Sequence, residues 1–169
     1  MLSQKLTDEL NEQIKFEFYS SHLYLAAAAY AYELDLDGFA NFFIVQAEEE
    51  KFHAMKFFNF ISEMGARVEM KSFDTPKMTY DDILDLFEYT SAHEGVVTDR
   101  IYHLMDIATE EREHATISFL KWFIDEQVEE MATFKAMTQK IKRGKDDANV
   151  LYGMDDELAK RSFTPPTGA

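Results

Sequence analysis

Cysteine is absent from the sequence, so the chain can hold neither a disulfide nor a thiolate ligand for zinc or an iron–sulfur cluster. Proline and glycine are scarce, with three prolines and six glycines in 169 residues. The first proline is Pro76, so little interrupts a helical pattern before that point. We therefore expect an all-α protein, and this length is sufficient for one domain with a sizeable core.

Positive charge is also in short supply, because 17 lysines and arginines face 32 aspartates and glutamates, for a net charge of −15. This balance disfavours binding to nucleic acid or to an anionic membrane surface, and it makes cations the natural partners. By itself, the charge fits an ordinary solvated surface equally well.

Long hydrophobic runs are missing too. The longest weakly polar run, Leu23 to Tyr32, is too short to span a bilayer. No signal-peptide pattern opens the sequence, since its first residues lead straight into an amphipathic helix. We expect a soluble cytoplasmic protein.

Apolar residues recur with helical spacing in four long segments, which predict helices over about residues 3–33, 39–64, 80–108 and 109–142. Ser3 and Thr79 are the expected N-caps, and Gly65 and Gly144 the expected C-terminal stops. Residues 1–145 would then form a four-helix bundle. Residues 146–161 would add a short C-terminal helix to the same domain, and residues 162–169 a flexible tail.

The connection between the second and third helices, residues 66–79, shows no helical period. Stretched out, it could cover roughly 45 Å, which is enough to run the full length of a helix of about 27 residues. The third helix can therefore run parallel to the second, in a bundle with one long crossover.

Each long helix carries polar residues within its apolar stripe. They are Glu17 on the first helix, Glu50 and His53 on the second, Glu94 on the third, and Gln127 and Glu130 on the fourth. If the second and third helices are parallel, these residues lie at one level within about two helical turns. A single residue of this kind would pair with another polar side chain. Four carboxylates at one level, however, cannot ionise together without a cation.

Carboxylate-rich ligation with one histidine suits a pair of irons bridged by a carboxylate. Bundles of that type repeat the Glu-x-x-His spacing on two helices, whereas here the second copy reads Gln127 to Glu130, which weakens one metal position. Another Glu-x-x-His, Glu111 to His114, lies about 20 Å away along the bundle. We interpret that pair as a charged first turn of the fourth helix.

With these residues in place, the chain resembles the bacterial non-haem ferritins over nearly its whole length. The resemblance is most specific in residues 17–21, 49–53 and 119–130. It implies a ferritin-like four-helix bundle with a short fifth helix, assembled as a hollow 24-subunit shell. It also implies a ferroxidase, which oxidises Fe²⁺ with O₂ or H₂O₂ at a mid-bundle di-iron centre and stores Fe³⁺ as a mineral.

The resemblance assigns residue roles at that centre. The first iron is held by Glu17, Glu50 and His53. The second is held by Glu94 and Glu130, with Glu50 bridging and Gln127 nearby. Tyr24, on the same helix face as Glu17, assists oxidation in the family, although a core tyrosine with a satisfied hydroxyl explains it equally well.

A third iron position beside the first two is implied as well. Each of its residues comes immediately before a predicted ligand in the sequence, so its side chain points about 100° away from that ligand around the helix axis. They are Glu49, Glu126 and Glu129, with Glu130 shared. A solvated acidic face is the ordinary alternative for these residues.

Haem-binding bacterioferritins have a histidine where this chain has Glu130 and a methionine where it has Lys51, so we expect no haem. DNA-coating mini-ferritins lack a fifth helix and often have a basic tail, and they fit less well. The remaining alternatives are a non-storage di-iron carboxylate oxidoreductase and a metal-free helical interaction protein.

Acidic residues near the predicted start of the fourth helix could line a threefold channel for iron, but a solvated first turn is the simpler account. They are Glu110, Glu111 and Glu113, followed by His114.

Overall fold

The computed structural model describes residues 1–166 and contains five helices. They are α1 (Gln4–Glu33), α2 (Asp37–Glu63), α3 (Ile83–Glu110), α4 (His114–Gly144) and α5 (Ala148–Leu158). No strand occurs among these residues, so the all-α prediction is confirmed. Nor is any helix within residues 1–166 long and apolar enough to cross a membrane. The last part of the predicted flexible tail, residues 167–169, lies outside the described residues.

The helix ends follow local capping chemistry. The Ser3 hydroxyl accepts the N–H of Leu6 at 3.0 Å, and Gly65 ends α2 with a left-handed φ of 72°. The expected cap at Thr79 is wrong, because the Asp82 carboxylate caps α3 three residues later. Tyr80 does not begin the helix but contacts Tyr30, whose hydroxyl donates to the Tyr80 carbonyl at 2.9 Å.

The junction between α3 and α4 differs from the prediction. Helix α3 continues to Glu110, and Arg112 then takes a left-handed φ of 55° that interrupts the helix. Glu113 caps α4 by accepting the N–H of Thr116 at 2.7 Å. Glu111 therefore lies in the turn before α4, whereas His114 is the first residue of α4, so the predicted charged first turn is wrong for Glu111 only.

The crossover, residues 64–82, runs along α1 from Asn11 to Tyr30. At one end the Asn11 side chain binds the carbonyl of Arg67 (3.0 Å) and the N–H of Glu69 (2.7 Å). At the other end Tyr80 contacts Tyr30. Because that end is also where α2 begins, α3 starts beside the start of α2 and the two helices are parallel. The predicted long crossover is confirmed.

Helices α1 and α2 form one hairpin and α3 and α4 a second, and the core between them has two apolar clusters. Phe43, Phe87 and Phe134 belong to one cluster, and Phe57 and Phe123 to the other. Most of the buried polar residues lie between these clusters, at mid-bundle. They include Glu17, Glu50, His53, Glu94, Gln127 and Glu130.

Helix α5 packs on the beginning of α2. The Asp155 carboxylate accepts the N–H groups of Gly38 (2.8 Å) and Phe39 (3.0 Å), at the positive end of α2. The chain then leaves the helix at Leu158, earlier than predicted, because the Asn41 amide binds the carbonyls of Leu158 and Arg161 at 2.9 Å each. The following residues run along α2, and their predicted flexibility stays a prediction.

Candidate metal centre

Three side chains from the first hairpin converge at mid-bundle. Glu17 of α1 and Glu50 and His53 of α2 each offer a ligand atom, and these atoms all lie within 4.8 Å of one another. The three residues are almost fully buried. His53 Nδ1 is 3.3 Å from Glu50 Oε2, and Glu17 Oε2 has no hydrogen-bond partner among residues 1–166. A buried carboxylate oxygen without a partner is costly, and a cation between the three side chains would satisfy it.

Glu17 is oriented by a residue that the sequence analysis missed. The buried Gln13 amide donates to Glu17 Oε1 at 2.8 Å, and its own oxygen accepts from Arg100 Nε at 3.0 Å. One oxygen of Glu17 is therefore fixed while the other faces His53 and Glu50. The sequence spacing could have identified Gln13, because it lies one helical turn before Glu17 on the same helix face.

The second hairpin presents Glu94 on the opposite side of the same level. One Glu94 oxygen accepts the Tyr24 hydroxyl, and the other accepts the Gln127 amide at 3.2 Å. Gln127 also donates to the Thr98 hydroxyl at 3.1 Å. Gln127 therefore positions Glu94 here, and Tyr24 connects α1 to the predicted second iron position.

Glu130 is positioned by Gln46, which the sequence analysis missed, as it missed Gln13. The amide of Gln46, on α2, donates to Glu130 Oε2 at 2.9 Å, and both residues are buried. Each of three carboxylates from three helices thus has an amide or hydroxyl fixed on it. Such outer partners restrict a ligand to one orientation and raise its affinity for a metal.

The four carboxyls also perturb one another. Burial raises the pKa of Glu50 well above its usual value, and the charges of Glu94 and Glu130 raise it further. Burial likewise raises the pKa of Glu17 and of Glu130, and it raises that of Glu94 to about 7. The group therefore retains protons at neutral pH, and a bound cation would replace them.

The predicted third iron position faces a different part of the molecule. Glu49, Glu126 and Glu129 line a cleft of 320 Å³. His53 and Trp122 also line this cleft, so it reaches from the mid-bundle cluster to the surface. Glu49 and Glu126 are half-buried and Glu129 is exposed, which separates them from the fully buried ligands.

The residues considered for a threefold channel are partly engaged within the chain. Glu111 accepts the Ser3 hydroxyl at 2.8 Å, and Glu113 caps α4. Glu110 and His114 are exposed. Their role in a channel stays a prediction.

The metal-free protein is expected to lose stability as the pH rises from about 5 to 7. The pKa of Glu94 is about 7 in the folded chain against an ordinary value of 4.5, so between these values the folded state holds a proton that the unfolded state has released. Stability from this proton is fully present below 4.5 and is lost as the pH approaches 7. Urea unfolding at pH 5, 6 and 7 measures the loss.

Glu94→Gln provides the control, because it keeps a hydrogen-bonding side chain that cannot titrate. The variant should show a shallower pH dependence than the wild type. Equal slopes in the two proteins would contradict the assignment of a raised pKa to Glu94.

The chain is similar to known proteins over nearly its whole length. The Ferritin-like domain family matches residues 7–144. The chain is 44% identical over 163 residues to "Bacterial non-heme ferritin" of Staphylococcus aureus (strain MRSA252), covering 96% of this chain and 98% of that protein. It is 45% identical, with the same coverage, to the protein of that name from Staphylococcus haemolyticus (strain JCSC1435).

Solved structures of similar sequence have the same fold. A closed form of the Archaeoglobus fulgidus ferritin, engineered by site-directed mutagenesis, superposes with a TM-score of 0.95 at 41% identity, covering 97% of this chain and all (100%) of the other. A humanized archaeal ferritin gives a TM-score of 0.96 at 40% identity, covering 98% of this chain and 100% of the other.

Proposed function

Because the chain belongs to the ferritin family, we propose that it is an iron-storage ferritin that oxidises Fe²⁺ before storing it. The observation that carries this proposal is the buried convergence of Glu17, Glu50 and His53, with one Glu17 oxygen left without a partner. Glu94 and Glu130 from the second hairpin supply further carboxylates around the same level.

Two Fe²⁺ ions are the substrates. The first binds Glu17, Glu50 and His53, and the second binds Glu94 and Glu130, with Glu50 between the two. Each ion gives up one electron. O₂ accepts the pair with two protons to give H₂O₂, or H₂O₂ accepts it with two protons to give two waters. Oxidation raises the charge of each ion, and the surrounding carboxylates stabilise that increase in a site shielded from water.

We propose that Tyr24 assists this step, and the hydrogen bond from its buried hydroxyl to Glu94 supports that role. Burial and the Glu94 charge raise the pKa of Tyr24 well above its usual value, so the phenol stays protonated in the metal-free chain. Gln127 acts beside it by holding the other Glu94 oxygen.

Oxidised iron then leaves through the third position, formed by Glu49, Glu126 and Glu129, toward the interior of a hollow 24-subunit shell in the cytoplasm. The cleft that touches both His53 and these three residues supports this direction. We propose that the protein works without haem, since Lys51 and Glu130 stand where haem-binding relatives differ.

Aerobic addition of Fe²⁺ to the purified protein, followed by gel filtration, tests the proposal. We expect a growing ferric absorbance, and iron that co-elutes with a particle of about 470 kDa, or 24 chains of 19.7 kDa. The same absorbance with a small particle and no retained iron would indicate a non-storage di-iron oxidoreductase. An absorbance that does not change would overturn both functions and leave a metal-free helical interaction protein.

A further inference from the structure

The segment after α5, residues 161–166, lies across the acidic cleft, and we call it the C-terminal strap. Its carbonyl at Arg161 is held by the Asn41 amide, and the Phe163 ring lies 5.9 Å from that of Phe52 on α2. Ser162, Phe163, Thr164 and Pro166 of the strap line the cleft opposite its carboxylates. The strap therefore forms one wall of the path that reaches His53.

Arg161 places a positive charge beside one of these carboxylates, that of Glu49. Its Nη2 is 3.5 Å from Glu49 Oε1, and its guanidinium lies 4.6 Å above the ring of Phe42. The side chains of Arg161 and Glu49 are only 28% and 21% exposed, so their attraction is weakly screened. Burial raises the pKa of Glu130, and the positive charge of Arg161 opposes that rise. The electrostatic field of Arg161 therefore reaches Glu130, a predicted iron ligand.

Within the described part of the chain, the contact between Arg161 and Glu49 also leaves part of the guanidinium without a hydrogen bond. Arg161 Nη1 is buried and has no hydrogen-bond partner among residues 1–166, and Nη2 reaches a single oxygen of Glu49 at the long end of the hydrogen-bond range. A guanidinium can bind a carboxylate through two parallel bonds, and this one does not. Arg161 is thus held near Glu49 in an arrangement that a more highly charged cation can displace.

We propose that Arg161 is a built-in counter-cation of the acidic cleft, and that an iron ion entering the cleft displaces its guanidinium from Glu49. The inference rests on the proposed function insofar as iron uses this cleft. A metal ion bound to Glu49 would stand beside the guanidinium and be repelled by it. Arg161 therefore weakens iron binding at the cleft, so that iron passes through without being trapped.

Terbium(III) tests this directly, because it binds carboxylates, cannot be oxidised by O₂, and luminesces when a nearby indole is excited. Trp122 is the only tryptophan of the chain and lines the cleft, so it reports an ion bound there. The full-length assembled protein is titrated with Tb³⁺ as wild type, Arg161→Gln and Lys160→Gln. Lys160 is exposed and loses the same charge, which makes it the matched control.

Arg161→Gln should bind Tb³⁺ about tenfold more tightly than the wild type, since a competing ion pair and a nearby like charge are both removed. Lys160→Gln should remain within about twofold, because an exposed charge is screened. An unchanged or weaker affinity in Arg161→Gln would overturn the proposal.

Two further variants separate charge from structure. Arg161→Lys keeps the positive charge without the planar fork, and it should restore most of the low wild-type affinity. If it behaves like Arg161→Gln, the counter-cation account is wrong. Adding Glu49→Gln to Arg161→Gln should abolish the gain, and a gain that persists would place the ion elsewhere and also overturn the account.

These outcomes are independent of iron oxidation. A chain that fails to oxidise Fe²⁺ but shows the Arg161 effect on Tb³⁺ loses the proposed function and keeps this inference. A chain that oxidises and stores iron but shows no Arg161 effect loses only the inference.

Discussion

Replacing Glu50 by alanine is expected to lower the initial rate of aerobic Fe²⁺ oxidation by at least about 100-fold. Loss of an outer partner of a metal ligand costs about 10- to 100-fold in affinity or activity, and loss of a shared ligand should cost more. Glu50 lies next to His53 and Glu17, and the charges of Glu94 and Glu130 act on it. Under the proposed function, Glu50 is the ligand that the two iron ions share. The rate of appearance of ferric absorbance after mixing gives the measurement.

Glu48→Ala is the matched control, because Glu48 is exposed on the same helix two residues earlier. It should oxidise Fe²⁺ at the wild-type rate. The Glu50 variant should also remain folded without metal, since it removes one of several buried carboxyls that repel each other. Equal initial rates in Glu50→Ala and the wild type would eliminate the proposed centre.

Replacing Gly38 by alanine is expected to destabilise the protein by about 1–3 kcal/mol and to loosen α5 from α2. A β-carbon at position 38 would stand 1.7 Å from the backbone oxygen of Asp155 and 2.5 Å from its carbonyl carbon. Because both clashing atoms belong to the backbone of Asp155, α5 and α2 must move apart to accommodate the β-carbon. That separation would weaken the two bonds from the Asp155 carboxylate to the start of α2. Thermal unfolding measures the loss.

Gly153→Ala should change the stability of the protein in the opposite direction to Gly38→Ala. Gly153 lies within α5, and a β-carbon there meets nothing within 4 Å. Alanine in place of a helical glycine stabilises a helix by about 0.5–1 kcal/mol, so this variant should unfold at the same or a higher temperature. If Gly38→Ala is as stable as Gly153→Ala, the close packing of α5 on α2 is not present in solution.

The sequence was sufficient to predict the bundle and the level at which the buried polar residues lie, because both depend on periodicity. The apolar stripe gives the buried face of each helix, and a polar residue such as Glu17 or Glu94 inside that stripe is visible without a structure. The crossover could also be predicted, since residues 66–79 lack helical period and are long enough to span the bundle.

Partners between helices could not be predicted in the same way. Periodicity places Gln13 and Gln46 on buried faces, but it does not say which carboxylate each amide meets. The N-cap of α3 was misplaced at Thr79, because tertiary packing of Tyr80 against Tyr30 delays the helix. Nor does periodicity indicate the contact of Phe163 with Phe52, because these residues lie more than a hundred positions apart in the sequence.

The long crossover has a consequence for how the chain could be divided. Glu17, Glu50 and His53 all lie before it, and Glu94, Gln127 and Glu130 all lie after it. A cut within the crossover would thus give two hairpin fragments, of which the first carries all three predicted ligands of the first ion and the second carries Glu94 and Glu130 but lacks the shared Glu50. Because Glu50 is proposed to bridge the two ions, metal would then bind the reassembled pair more tightly than either half, and by linkage it would favour their complementation.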